Sequence, residues 1–484
     1  MTVNRLSTSI ISKQLDAATI LQDYYTCCLS REISLIIRRD VLTGRAKFGV
    51  SDDGKEVYQV AMAHAYRPGD WRADYYRGFT LLLALDLAKP EDILAQLYAD
   101  PDNDPFSGGR QMIGHHITPM VDADGQWLDQ MAKVNVSSDV STTGGQMARG
   151  LGLAFASKVY REAEHLDRPE FTKNGSEICF CNIGDASTSE GAFWEAMNAA
   201  GVLQVPMAMT VVDDGYGISV PTEYQTIKGS ISEALAGFAS DEHKAGMAIY
   251  RVEGWDYISL LETYDDAIAK MRATHEPALI HVHELTQPQG HSTSGSHERY
   301  KDEERLAWEK EYDCNRQFRL WMLATGVADE GQLVELEAKA KATAKAARNR
   351  AWENVRGPIK ARKAELQAIV AALPQEPRVV ELAKEISTAR YPSRAEMLTI
   401  ARRLRFVLHG QETVALDAYI QEEKKILQDR YGRHLLSETD QAALRVPVVP
   451  ARYADDAEEI NGFEILNRFF NSKLTELDDL YFFG

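Results

Sequence analysis

Ile183-Gly184-Asp185-Ala186-Ser187-Thr188-Ser189-Glu190 decides the fold, and Asp213-Asp214-Gly215-Tyr216-Gly217 answers it downstream. The first stretch closes a short, mostly apolar run from Glu177 to Ile183 that Gly184 stops, the signature of a strand. Ser187-x-x-Glu190 has capping-box spacing and opens a helix carrying Phe193, Met197 and Ala200 on one face. Val205 to Val212 is a second apolar run with no central proline, and Asp213-Asp214 end it. Such a strand–helix–strand unit joins parallel strands through a right-handed crossover. Both acidic positions then fall at the carboxyl edge of a sheet, where open α/β folds bind ligands. The amino end of the helix, with free amides and a positive dipole, faces the same edge. Carboxylates beside free amides suit a diphosphate carried by a divalent cation. A Rossmann-like sheet whose acidic loops are merely solvated is the alternative reading of the residues alone.

Composition narrows the partners. The 54 basic and 72 acidic residues give a net charge of −18, which argues against nucleic acid or an anionic membrane. Five cysteines without C-x-x-C spacing point to a reducing, cytoplasmic setting rather than a disulfide framework or zinc site. No run is long enough to span a bilayer, and Met1 to Ile11 lacks a secretory apolar core. At 484 residues the chain exceeds one ordinary domain. Gly144, Gly145, Gly150 and Gly152 do not fit G-x-G-x-x-G, and no phosphate-loop motif occurs. Their smallness instead lets a helix pack closely on the sheet.

Gly184-Asp185-Ala186 with Asp213-Asp214 resembles the metal motif of the thiamine diphosphate fold, usually Gly-Asp-Gly followed by Asn-Asn. Gly109-Arg110-Gln111-Met112, the run from Thr143 to Gly152, and Gly290-His291-Ser292-Thr293-Ser294 narrow the likeness. Together, over about residues 40 to 320, they resemble the α subunit of the decarboxylating E1 component of 2-oxo acid dehydrogenase complexes. The resemblance implies an α/β fold, a mostly parallel sheet flanked by helices, that binds thiamine diphosphate and Mg²⁺. Asp185, Asp214 and the backbone carbonyl of Tyr216 would ligate the metal. Gly184, Ala186 and Ser187 would border the phosphates, the last two through backbone amides. Tyr76-Arg77 matches the family's Tyr-Arg pair, with Arg77 forked onto diphosphate oxygens; outside this context Arg77 reads as a surface ion pair. His115 and His291 match the active-site histidines, His116 being a substitute for the first, and Ser141 and Thr143 lie near the aminopyrimidine. His281 and His283 share one face of a strand from Ala278 to Leu285 and read as structural.

Three departures bear on that likeness. Asp214 replaces the usual Asn, and Val212 stands where branched-chain members carry a phosphate-binding Arg. One carboxylate more and one cation fewer would then surround the diphosphate. Two unit charges about 4 Å apart at an effective dielectric of ~20 interact by about 4 kcal/mol, so a tighter dependence on Mg²⁺ is expected than in relatives with Asn. Asp213 should face the opposite way from Asp214, as strand neighbours do. Gly295-Ser296 replaces the usual Asp-Asp after the His291 loop.

The resemblance implies oxidative decarboxylation of a 2-oxo acid and acyl transfer to lipoamide. Branched-chain acids such as 2-oxoisovalerate lead over pyruvate. A scaffold that keeps the fold without catalysis, and a transketolase, are the alternatives; the His291-Ser292-Thr293-Ser294 loop favours E1 over the latter. Implied partners are an E1 β part, a lipoyl-bearing E2 and an α2β2-type assembly in a bacterial cytoplasm.

Beyond residue 320 the composition changes. Residues 328–372, rich in Ala, Glu, Lys and Arg, read as a helix interrupted at Gly357-Pro358, with a solvated charged face. Ser393-x-x-Glu396 opens another helix carrying Met397, Ile400 and Leu404, and Val446 to Pro450 reads as a linker. Asn461 to Lys473 reads as a helix, and Leu480-Tyr481-Phe482-Phe483 as the start of an apolar strand. That end resembles the opening of an E1 β subunit, so the chain is expected to be the α part of an α–β fusion cut just inside β. The expected division is 1–320 for the cofactor-binding α domain, 321–455 for a helical extension and linker, and 456–484 for the start of β. An isolated chain is then expected to bind cofactor weakly and turn over little.

Overall fold

The computed structural model describes residues 15–163, 165–293, 295–432, 435–440, 442–477 and 480; the strand expected at Leu480 to Phe483 lies outside them except for its first residue. The sheet is built from β1 (Trp71–Ala73), β2 (Asn135–Val136), β3 (Cys179–Gly184) and β4 (Met207–Val212). A small antiparallel hairpin, β5 (Tyr216–Gly217) and β6 (Val220–Pro221), stands apart from it. Strands β7 (Ala248–Glu253) and β8 (Ala278–His283) complete the sheet. Its order is β2-β1-β3-β4-β8-β7, and every neighbouring pair is parallel. This is the α/β architecture expected from the crossover.

A parallel sheet needs both faces covered, and the alternation along its strands divides the work. Cys179, Cys181 and Ile183 of β3 and Met207, Met209 and Val211 of β4 enter one core. Phe193, Met197 and Ala200 meet them from the crossover helix Gly191–Leu203, and Met147 and Ala154 from the helix Met147–Glu162. Phe180, Ala208 and Val212 enter the opposite core with Val57, Tyr257, Leu260 and Tyr264. Gly150 shows why small residues fill its helix: a Cβ there would lie 2.9 Å from Cys181 Sγ.

Three local expectations fail. The Ser187–Glu190 capping box does not form; residues Asp185–Ser189 coil into a 3-10 turn, and the helix begins at Gly191. The Glu190 carboxylate is drawn away, accepting from Thr143 Oγ1 at 2.7 Å. The helix Glu330–Ala371 also runs unbroken through Gly357-Pro358. Its first half, with Leu333, Ala340, Ala344, Ala347 and Ala351, lies in the core containing Tyr257, while Leu366 and Val370 join a third cluster. An internal proline costs roughly 3 kcal/mol; packing on either side outweighs it. Nor are all the charges of this helix solvated. Arg348 pairs with the buried Asp40 at 2.8 Å, and Arg362 with the buried Glu423 at 2.5 Å.

The capping box at Ser393 and Glu396 does form, and it starts Arg394–Val407 with Met397, Ile400 and Leu404 buried in the third cluster. The run Val446 to Pro450 is exposed, and the terminal helix Gly462–Glu476 buries none of its residues.

One buried network fixes the loop that leaves β1. Arg72 lies fully buried between Asp74, 3.0 Å away, and Asp139, 2.8 Å away, and donates to the Gly78 carbonyl at 2.7 Å. A Cβ at position 78 would fall 2.2 Å from Arg72 Nη2. Gly78→Ala should therefore displace a paired buried cation and destabilise the chain by roughly 3 kcal/mol. Urea unfolding would measure it; an unchanged midpoint refutes the role given to Gly78.

Candidate active site

Because neighbouring strands run parallel, their carboxyl ends line up along one edge, and five of them border a single cavity of about 450 Å³. Tyr76 and Arg77 follow β1, Ser141 and Thr143 follow β2, and Gly184 to Ser187 close β3. Asp214 and Tyr216 follow β4, and His291 follows β8. His115, from the segment before β2, also lines the cavity. All twelve residues singled out from the sequence thus border one space.

The register Gly184↔Val212 makes the two acidic turns leave the sheet side by side. Asp185 is buried and its Oδ2 accepts from Thr222 Oγ1 at 3.0 Å. Burial, with the carboxylates of Asp213 and Asp214 nearby, pushes Asp185 well above the ordinary carboxylate range. Burial acts on Asp214 in the same sense, but Lys55, Lys301 and Arg77 outweigh it and hold Asp214 below that range. Asp213 is turned to other partners: its carboxylate takes His281 Nε2 at 2.9 Å and the Gly215 amide at 2.8 Å. His281 Nδ1 meets Ser232 Oγ at 2.8 Å, and His281 does not line the cavity.

Arg77 is buried and is not a surface cation. Its Nη1 donates to the Ser51 carbonyl at 2.7 Å and its Nη2 to the His291 carbonyl at 2.5 Å, tying the β1 loop to the β8 loop. His291 Nε2 shares a 3.1 Å hydrogen bond with the Tyr76 hydroxyl. His115 Nδ1 donates to the Met112 carbonyl at 2.9 Å, and its Nε2 shares a short hydrogen bond with Ser141 Oγ. His116 is no substitute for His115: it is buried outside the cavity, with Nδ1 on Asp139 at 2.8 Å and its ring edge on Phe106.

Comparison with known proteins agrees with this geometry. Residues 28–359 match the family model described as dehydrogenase E1 component. The chain belongs to that family. Its relatives include the 2-oxoisovalerate dehydrogenase subunit alpha of Bacillus subtilis (strain 168), 27% identical over 63% of this chain and 82% of the relative. The mitochondrial 2-oxoisovalerate dehydrogenase subunit alpha of Mus musculus is 26% identical over 65% of this chain and 63% of its own length. The pyruvate dehydrogenase E1 component subunit alpha of Acholeplasma laidlawii is 26% identical over 67% and 81%. The chain thus spans less than two thirds of the mouse protein. E1 dehydrogenases are thiamine diphosphate-dependent oxidoreductases acting on 2-oxo acids.

The sequence reading of this E1 chain missed one decisive cation. Lys55 Nζ, buried in the cavity wall, meets Asp214 Oδ2 at 2.7 Å. The expected charge imbalance, one carboxylate more and one cation fewer, is therefore halved: the extra carboxylate arrives with its own ammonium, while Val212 still offers no cation. Lys55 lies far from Asp214 in sequence and carries no motif. Arg305, also missed, donates to the Asp214 carbonyl at 2.8 Å and stacks over the Tyr216 ring.

Burial and the neighbouring Arg77 cation push His291 down to about 4, so the ring is neutral at pH 7. Carbon-labelled histidine NMR should show one ring, absent in His291→Gln, with chemical shifts constant from pH 8 down to about 5. Titration of that ring near 6.5 refutes the assignment.

Proposed function

We propose that this chain is the α part of an E1 that decarboxylates a branched-chain 2-oxo acid and, with a lipoyl-bearing E2, passes the acyl group on. The supporting observation is the convergence of Asp185, Asp214 and Arg77 on one cavity. Among the described residues no three His, Cys, Asp or Glu side chains cluster as a self-sufficient metal site. Mg²⁺ needs no such cluster: it takes a few carboxylate oxygens and fills its octahedron from phosphates and water. The buried Asp185 carboxylate, repelled by Asp213 and Asp214 and answered by one hydroxyl, fits a cation better than it fits solvent. Asp185, Asp214 and the Tyr216 carbonyl would hold Mg²⁺, and Arg77 with the amides of Ala186 and Ser187 would face the diphosphate. Those amides belong to a 3-10 turn rather than a helix end, so they act as local donors.

Thiamine diphosphate, when bound, supplies the nucleophilic carbon for the 2-oxo carbonyl and takes up charge as CO₂ leaves. The chain's own share is orientation and hydrogen bonding. His115, oriented by the Met112 carbonyl, and neutral His291, oriented by Tyr76, are the groups we assign to the substrate oxygen and the acyl acceptor. Gly184, Ser141 and Thr143 shape the wall. A β part, fused or separate, would complete the site, in keeping with relatives named as alpha subunits. We read the setting as the cytoplasm; among the described residues no helix is long and apolar enough to cross a membrane.

The choice of a branched-chain acid rests on the 2-oxoisovalerate relatives, and the pyruvate relative makes pyruvate the second reading. With a complementing β part, 2-oxoisovalerate should exceed pyruvate in kcat/KM by about tenfold, the scale set by a few methylenes in a pocket. The reverse order would exchange the two readings. Asp185→Asn should weaken Mg²⁺-dependent binding of thiamine diphosphate by about tenfold or more in calorimetry. Unchanged binding would refute the metal assignment.

A further inference from the structure

Lys55 immediately precedes the helix Glu56–Ala63 and is only 2% exposed. Its ammonium has three acceptors: Asp214 Oδ2 at 2.7 Å, the Thr286 carbonyl at 3.1 Å and Gln287 Oε1 at 3.1 Å. An ammonium has three donors, so all are committed. Asp214 Oδ1, for its part, accepts from the Tyr216 amide at 3.2 Å. Val212, the last residue of β4, contributes an apolar side chain to the same cavity wall. Lys301 and Arg305 also lie near Asp214, but both are paired with Glu309, at 2.6 and 3.0 Å. The charged side chains in the cavity wall are therefore Asp185, Asp214, Lys55 and Arg77.

We infer that Lys55 is a positioning residue of the metal–diphosphate site, cancelling the charge of Asp214 so that the pair presents itself to a bound ligand as one neutral group. The inference rests on the thiamine diphosphate reading above and deepens it. The ammonium fixes one carboxylate oxygen of Asp214 and orients the other. Without Lys55, an unpaired buried carboxylate would stand beside Asp185 and repel an incoming diphosphate. Without the charge of Asp214, the ammonium would lose its anion and attract a diphosphate even in the absence of metal. Removing both restores neutrality. Opposite signs for the two single changes separate this role from a merely structural ion pair, whose loss would weaken binding from either side.

The test uses the full chain with a complementing β part and calorimetry, with Mg²⁺–thiamine diphosphate as one probe and inorganic pyrophosphate in a chelator as the other. Lys55→Met should weaken Mg²⁺–thiamine diphosphate binding by about tenfold, and Lys55→Met/Asp214→Asn should return to within about threefold of the unmodified chain. Toward metal-free pyrophosphate the two single changes should have opposite signs, Lys55→Met weakening binding and Asp214→Asn tightening it, each by about threefold or more. Circular dichroism confirms that each variant is folded, and the Asp214→Asn arm stands even if Lys55→Met does not fold. Unaltered binding by Lys55→Met, a double variant as weak as the single one, or no gain in Asp214→Asn would each overturn the inference. If the unmodified chain with its complementing β part binds no Mg²⁺–thiamine diphosphate saturably, the cofactor reading falls and takes the inference with it; saturable binding insensitive to Lys55 defeats the inference alone.

Discussion

A buried charge must be paired, and the architecture of this chain is arranged around that demand. The parallel sheet delivers the carboxylates of Asp185 and Asp214 to one edge, out of water, with the half-buried Asp213 beside them. Each is answered differently. Asp213 is held by His281 and a backbone amide, Asp214 by Lys55, and Asp185 by a single hydroxyl contact from Thr222 among its side-chain partners. The carboxylate with the weakest answer is the one whose ionised form a divalent cation would stabilise most.

The same demand explains the network beneath the site. Arg72, Asp74 and Asp139 are fully buried, and they reach outward to His116, Asn182 and the Gly78 carbonyl. Burial raises Asp74 to about 7 despite Arg72 beside it. Such a network adds little net stability over an apolar core. Its effect here is directional, since it sets where the chain turns after β1 and so where Tyr76 and Arg77 point. Arg77 then binds the His291 carbonyl, coupling that turn to the loop after β8.

Much of this was legible before any coordinates. Strand alternation, the crossover unit and the acid-bearing turns are local patterns with fixed periods, so β3, β4 and the sites after them could be placed residue by residue. The capping box at Ser393 held, with Glu396 accepting from the Ser393 amide at 2.6 Å and Ser393 Oγ from the Glu396 amide at 3.1 Å. The one at Ser187 failed, because Thr143, distant in sequence, took the side chain of Glu190. Gly357-Pro358 looked like a break because a proline removes a hydrogen bond; two separate clusters gripping the helix on either side overrode it.

The sequence by itself determined the β3–helix–β4 crossover, the strand at β8, their carboxyl edge and the identity of the acids there, since these follow from short-range period and turn chemistry. Tertiary structure alone decided which cation neutralises which acid. Lys55 reaches Asp214 across 159 positions of chain, and ion pairing depends on distance in space and on exclusion of water, neither of which is written in spacing along the chain.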